Sequence, residues 1–285
     1  MASRRFTPRL AHVRQLLDAL VGASDASASL AVDPLGIVRR HAAPADREVV
    51  GLVAATLAFG NVATIRASVE RVLRALGPSP AAAVDTLCEA ELARRLDGFV
   101  HRVYRGPDVA AMLSRAGALR REHGSLGAAL SKELALAGGD LREGLARLAS
   151  SLRGDAPSRG LAHLVPDPRA GSACKRLLLY TRWMARPDDG VDLGLWPISA
   201  ALLVIPVDTH VSRISYNLGL TRRRDASWRT AEDITATLRL FDADDPVKYD
   251  FAICHMGVSR DCPSRRDPAA CARCVVRSGC RHWSA

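Results

Sequence analysis

Ile205-Pro206-Val207-Asp208-Thr209-His210-Val211-Ser212-Arg213-Ile214 is the stretch on which the reading turns. Pro206 presets φ and has no N–H, so it belongs at a turn or in a first helical turn. Asp208 and Thr209 are good N-cap residues, because a short side-chain oxygen reaches backbone N–H groups two or three residues on. Val211, Ile214 and Leu218 then recur with the period of a buried helix face. The spacing therefore predicts a helix that begins at Asp208 and ends near Asn217-Leu218-Gly219. A carboxylate at that helix start sits beside the positive end of the macrodipole, which favours its ionised form. It can simply cap the helix, or it can face a cation that develops during a reaction.

The second informative stretch is Cys262-x8-Cys271-x2-Cys274-x5-Cys280. A close pair wraps one corner of a metal site and the flanking cysteines close it. Four thiolates suit zinc or an iron–sulfur cluster, and spacing alone does not choose between them. The chain has seven cysteines, an odd number. Crowded in this way, they point to a reducing compartment and to ligation rather than disulfides. Cys254 can in principle replace Cys262, but its apolar surroundings favour a core position. Cys88 and Cys174 have no metal-like partner in the sequence.

The composition narrows the class of partner. The 285 residues are 48% hydrophobic and carry a net charge of +10. That is enough for one or two domains. It suggests a polyanion, nucleic acid first, because basic side chains gain affinity by releasing condensed counterions. Only Lys132, Lys175 and Lys248 are lysines among 40 basic residues, and the chain is crowded with Ala, Arg, Gly and Leu. A coding bias is the competing explanation. No apolar run reaches the ~18–20 residues of a membrane span. Three arginines in Met1 to Leu10 are followed by no apolar core of a secretory signal. The expected location is cytoplasmic, with the nucleoid as the site of action, and a monomer is expected.

Periodicity elsewhere predicts helices and little else. Pro8 to Val21 is amphipathic, and Gly22 to Ser29 reads as a small polar loop. Asp46-Arg47-Glu48 opens an apolar helix that runs to Phe59. Gly60-Asn61 interrupts it before Val62 to Leu76. Residues 81 to 155 read as helices separated by glycines, with His101, Arg102, Tyr104 and Arg105 as a basic-aromatic cluster. That cluster can lie on a solvated face or touch phosphate. Leu164 to Arg176 is a turn rich in Pro and Gly feeding a helix to Met184. Thr230 to Leu240 and a segment from about Asp244 to His255 complete the set.

Ile205 to Leu220 resembles the VDTHV-x-R-x-x-x-x-LGL segment of the helix-hairpin-helix DNA glycosylases, the superfamily of endonuclease III. Together with Lys175-Arg176-Leu177, Arg182-Trp183-Met184, Val191 to Trp196 and Asp245 to Phe251, it is similar to a little-characterised branch known as a domain of unknown function. The resemblance covers roughly residues 45 to 285. It implies an all-α fold. A six-helix barrel domain would span 45–200, and a second helical domain would join 1–44 to 201–285. It makes Asp208 the catalytic carboxylate. The Leu164 to Arg176 turn becomes the DNA-binding hairpin, with Gly171, Ser172 and Arg176 at phosphate, although the usual L-P-G-x-G core is missing. Arg213 and Asn61 join the DNA-contacting set, Asn61 in a loop that enters the duplex. Cys262, Cys271, Cys274 and Cys280 become ligands of a [4Fe–4S] cluster, zinc being the alternative. Their first gap is two residues longer than the family's C-x6-C. Arg260, Arg265, Arg266, Arg273, Arg277 and Arg281 surround that loop, with Arg273 and Arg277 as DNA contacts.

The activity implied is excision of a damaged base from double-stranded DNA. Lys175 is the candidate Schiff-base nucleophile, at a distance from Asp208 that resembles the archaeal 8-oxoguanine glycosylases. An oxidised purine such as 8-oxoguanine is then the leading substrate. A catalytically silent DNA-binding protein and a zinc-stabilised helical adaptor are the alternatives. If the positive charge serves DNA, affinity should fall steeply with salt. Charge reversal at Arg273 and Arg277 should weaken binding to all sequences alike, since phosphate contacts position and do not specify. Binding that is weak at low salt, or indifferent to those changes, would return the basic balance to coding bias.

Overall fold

The computed structural model describes residues 5–259, 261–263 and 265–283. Its helices are Pro8–Ala23 (α1), Ala26–Val32 (α2), Leu35–Arg39 (α3), Pro44–Thr56 (α4), Val62–Leu76 (α5), Pro80–Thr86 (α6) and Glu89–Arg95 (α7). Gly106–His123 (α8), Leu126–Leu136 (α9), Leu141–Arg153 (α10), Arg159–Leu164 (α11) and Lys175–Ala185 (α12) follow. Thr209–Leu218 (α13), Trp228–Leu238 (α14), Asp250–Val258 (α15) and Pro268–Ala272 (α16) complete the helices. The protein is all-α, as the periodicity predicts.

Local chemistry sets most of the helix starts. Side-chain oxygens of Thr7, Asn61, Ser125, Asp140, Ser158, Asp208, Ser227 and Asp267 each accept a backbone N–H in the first turn of the helix that follows. Two expectations need correction. The stretch read as a loop, Gly22 to Ser29, contains the start of α2. Its small Ala and Ser residues carry no hydrophobic period, but Asp25 caps them by accepting from Ala28 N at 2.9 Å. Residues 81 to 155 are not helices only. Val100–His101 and Tyr104–Arg105 form an antiparallel hairpin, with Arg102 in the left-handed region at φ 56°. Two-residue strands are too short to show an alternation.

The apolar side chains form one continuous core from Val13 to Val276. Helix α4 is central to it: every residue from Glu48 to Thr56 is buried, and the helix packs on α3, α5, α6 and α12. Helix α8 packs on α6, α7, α9, α10 and α11. Helix α13 lies against α15, and α1 against α15 and the 3₁₀ turn Arg277–Gly279. Glu48 is an acid inside the apolar α4. Its carboxylate pairs with Arg120 and accepts from Trp196 Nε1 at 2.8 Å and Gly127 N at 3.1 Å. A buried carboxylate needs such a full set of donors.

Gly117 of α8 sits where a Cβ would strike the backbone carbonyl of Val84 in α6. Gly22, in the last turns of α1, faces open space. Gly117→Ala should therefore cost about 1–3 kcal/mol. Gly22→Ala should add about 0.5–1 kcal/mol through helix propensity. Urea unfolding of the two variants checks both signs.

Candidate active site and cysteine centre

Asp208 is the N-cap of α13, and its Oδ1 accepts from Val211 N at 2.7 Å. The cap reading is thus realised, yet it uses only one oxygen. Oδ2 faces Cys254 of α15, whose thiol donates to it at 3.6 Å. The two helices come this close because Gly257 carries no side chain where His210 packs against α15. Burial, and then the negative charges of Asp208 and Asp250, push the Cys254 thiol far up, and Lys175 draws it partly back. A thiol so raised stays protonated and remains a donor. The core position expected for Cys254 therefore has a polar side, turned to Asp208.

Lys175 opens α12. Nζ donates to Ala58 O at 3.4 Å, at the loop between α4 and α5. Lys132 lies 3.9 Å from Glu122. Lys248 lies 2.7 Å from Asp242 and 4.0 Å from Asp18, rather than pairing with the adjacent Asp244 and Asp245. Among the described residues Lys175 is the lysine with no carboxylate partner.

Beneath these groups lies a buried ionic lattice. Arg182 of α12 pairs with Asp250 of α15 and, at 3.2 Å, with Asp192. Burial raises the Asp250 carboxyl to about 6, and the Arg182 charge offsets only part of the rise. Arg186 continues the lattice to Asp192 at 3.0 Å and Asp245 at 2.7 Å. On the next residue of α15, His255 Nε2 meets Asp33 Oδ2 at 3.2 Å. The segments Val191 to Trp196 and Asp245 to Phe251, irregular in the sequence, are held to α12 by these contacts.

The remaining candidates are placed unevenly. Gly171 is left-handed at φ 86°, its carbonyl accepts from Trp228 N at 3.1 Å, and nothing lies near its Cα face. Ser172 is exposed beside it. Arg176 does not extend to solvent. It donates to Tyr104 Oη and His163 O, and at 3.3 Å to Thr56 O. Desolvation pushes its guanidinium down to about 10. It clamps the turn to the β-hairpin, so its assignment to phosphate is corrected to an internal tie. Arg213 is also turned inward: Nη2 donates to Cys262 O at 2.7 Å. Its role shifts from DNA contact to a tether of the cysteine loop. Asn61 is exposed and caps α5. Next to it Phe59 is 37% exposed, with the Arg102 guanidinium 4.8 Å from its ring centroid. His101, read as part of a surface cluster, is buried and bonded to Ser68 Oγ at 2.8 Å and Phe59 O at 3.2 Å.

Cys262, Cys271, Cys274 and Cys280 line one cavity with Ile214, Leu218 and Trp283. Among the described residues no three His, Cys, Asp or Glu side chains are drawn together as a ligand set. The cavity's chemistry nevertheless suits a sulfur-rich group. Arg213 Nε and Trp283 Nε1 are buried beside it without a partner among the described residues, two N–H donors fit for thiolate or sulfide. Burial pushes the Cys262 and Cys274 thiols up. Arg273 is exposed, and Arg277 lies 4.3 Å from the Trp283 ring centroid. Arg260 lies outside the described residues.

What these features define is an all-α protein with a carboxylate–thiol pair at the head of α13 and a four-cysteine cavity lined in part by the same helix. Residues 33–259 match the model of a family described as a protein of unknown function (DUF2400), and the chain belongs to that family. No curated protein and no solved structure matches the chain. Among the described residues no helix is long and apolar enough to cross a membrane.

Arg182→Met should cost about 3–5 kcal/mol, because Asp192 and Asp250 are left as buried charges without their shared partner. Urea unfolding measures the loss. A cost under about 1 kcal/mol would mean that the lattice adds little to stability.

Proposed function

We propose that the chain is a DNA glycosylase of the helix-hairpin-helix class that excises a damaged base from duplex DNA, with a lyase step through Lys175. The observation that carries this reading is Asp208 at the head of α13, with one oxygen capping the helix and the other turned to the Cys254 thiol. The resemblance of Ile205 to Leu220 supplies the chemistry. The four-cysteine cavity lies along the same helix, lined by its Ile214 and Leu218.

The target nucleotide must leave the stack before its glycosidic bond can be reached. As that bond breaks, positive charge grows on the sugar, and Asp208 faces it as a carboxylate. The Lys175 amine forms a bond to C1′ while the bonding electron pair leaves with the base, which takes up a proton. The nitrogen sheds its own protons, one by way of Asp208, as the sugar ring opens to the Schiff base. The exposed Asn61 loop, Gly171 and Ser172 at the hairpin, and Arg273 and Arg277 at the cysteine loop are the duplex-facing set in this reading. Six helices between residues 45 and 200 would form its barrel. Cys262, Cys271, Cys274 and Cys280 would hold a [4Fe–4S] cluster, or zinc in the alternative, whose contribution is to order the loop. The Arg213 tether and the Trp283 N–H suit that group.

Asp208→Asn should abolish base release and leave duplex binding within a few-fold, since an amide can keep the cap. Lys175→Gln should abolish borohydride trapping on an 8-oxoguanine duplex. Trapping that persists in Lys175→Gln moves the nucleophile elsewhere. Base release by the wild type without trapping makes Asp208 an activator of water. No release from any lesion in a panel leaves a silent DNA-binding protein.

Anaerobically purified protein should be brown and contain iron and acid-labile sulfide. Cys271→Ser should lose the colour and much of the soluble yield, because ligation energy is folding energy in small metal loops. Stoichiometric zinc without iron would favour the adaptor reading.

A further inference from the structure

We propose that Arg9, Arg224 and Arg281, gathered around Tyr216 and Gly219 at the C-terminal end of α13, form a second site for nucleic-acid phosphate, separate from the Asp208 end. The inference rests on the DNA-binding part of the reading above, not on its chemistry.

The three guanidiniums are unusually close. Arg224 lies 4.5 Å and Arg281 4.6 Å from the Tyr216 ring centroid. A Cβ placed on Gly219 would be 3.5 Å from Arg9 Nη2 and 3.7 Å from Arg281 Nη2. Arg281 is thus shared between two neighbours of its own charge. Among the described residues none of the three pairs with a carboxylate, whereas Arg94, Arg95, Arg120, Arg147, Arg153 and Arg182 do.

The helix end does not explain the cluster. The last carbonyls of α13 are already satisfied by backbone donors. Ser215 O accepts from Leu220 N at 2.9 Å, Tyr216 O from Gly219 N at 3.1 Å, and Asn217 O from Arg281 N at 2.8 Å. The Arg224 side chain uses one N–H on Tyr216 Oη at 2.7 Å. Arg9 and Arg224 are exposed, and Arg281 is half-buried.

Guanidinium planes stacked on a ring keep their N–H forks free at the edge. A carboxylate is satisfied by one such fork. A phosphate offers oxygens to several at once, which is what three converging forks supply. Helix α13 has 10 residues. At 1.5 Å per residue it holds this cluster about 15 Å from Asp208. That is the rise of about four to five base pairs. A duplex with its damaged nucleotide at Asp208 therefore has backbone within reach of the cluster only several nucleotides away.

The test measures binding of full-length protein to a labelled undamaged duplex across a salt series, for wild type, Arg224→Gln, Arg281→Gln and the double Arg224→Glu/Arg281→Glu variant. Lys132→Glu, on α9, is the charge control. Each Gln variant should lower the slope of log affinity against log salt by about 1, and the double variant by about 2. The double variant should bind about tenfold more weakly at ~0.1 M salt. Lys132→Glu should change neither. Thermal unfolding of the Gln variants confirms that the fold is kept. Unchanged slopes in variants of a wild type that binds duplex would overturn the site and leave the glycosylase reading standing. Weakened binding with no excision of any lesion would keep the site and remove the glycosylase reading. A wild type that binds polyglutamate as tightly as duplex, with the same dependence on Arg224 and Arg281, would overturn phosphate in favour of an acidic protein. A wild type that binds no duplex at low salt would overturn both.

Discussion

Arg182 is the residue on which the site's geometry hangs. One guanidinium, almost fully buried, joins α12 to α15 through Asp250 and to the Val191 to Trp196 segment through Asp192. Lys175 enters from the first turn of α12. Cys254 stands one turn beyond Asp250 on α15, against Asp208. The relative placing of α12 and α15 is therefore set by an ion lattice. Buried pairs of this kind add little net stability over apolar packing, but they penalise any other register heavily. Here that penalty falls on a relative slide of α12 and α15. Backbone bonds reinforce the lattice: Leu193 N donates to Trp183 O and Trp196 N to Met184 O, both at 2.8 Å.

The fold was largely legible where local chemistry and hydrophobic period agree. Helices α1, α5 and α13 have both a cap and an apolar stripe, and they lie where expected. Helix α2 was not legible, because seven Ala, Ser, Leu and Val residues carry no stripe and the decisive donor–acceptor pair is a single Asp25 contact. The hairpin at His101 and Tyr104 was missed for a different reason. Its stability comes from long-range bonds to Phe59, Ser68 and His163, which no local window contains. Glu48 reads as a polar residue at a helix start, and its burial becomes intelligible only once Arg120 and Trp196 arrive from elsewhere in the chain.

The site divides in the same way. Asp208 was legible because a cap is a local device. The four cysteines crowd together in the sequence, and they share a cavity. The placements of Arg176 and Arg213 were not legible. A basic residue beside a glycine-bearing turn looks like a phosphate ligand in sequence, and only the carbonyls of Thr56, His163 and Cys262 show that these two face inward. Cys254 was read as core by its neighbours in sequence. Its contact with Asp208 spans 46 positions and depends on the side-chain-free surface of Gly257. The convergence at Tyr216 is not legible in the sequence, because its members are contributed by α1, α13, the Arg222-Arg223-Arg224 run and the segment after Cys280.

The scarcity of lysine has a consequence for how this molecule can be interrogated. Forty basic residues include only three side-chain amines, and two of those are engaged by carboxylates. Guanidinium groups, at their ordinary pKa, are inert to reagents that acylate or reductively alkylate amines. Such a reagent leaves the whole arginine surface untouched. Beyond the N-terminal amine, its profile resolves into three signals, each on a separate helix or turn. Mass spectrometry can follow them one at a time. Lys175 thus carries its own label, and its accessibility can be recorded in the intact protein without altering the arginine charge.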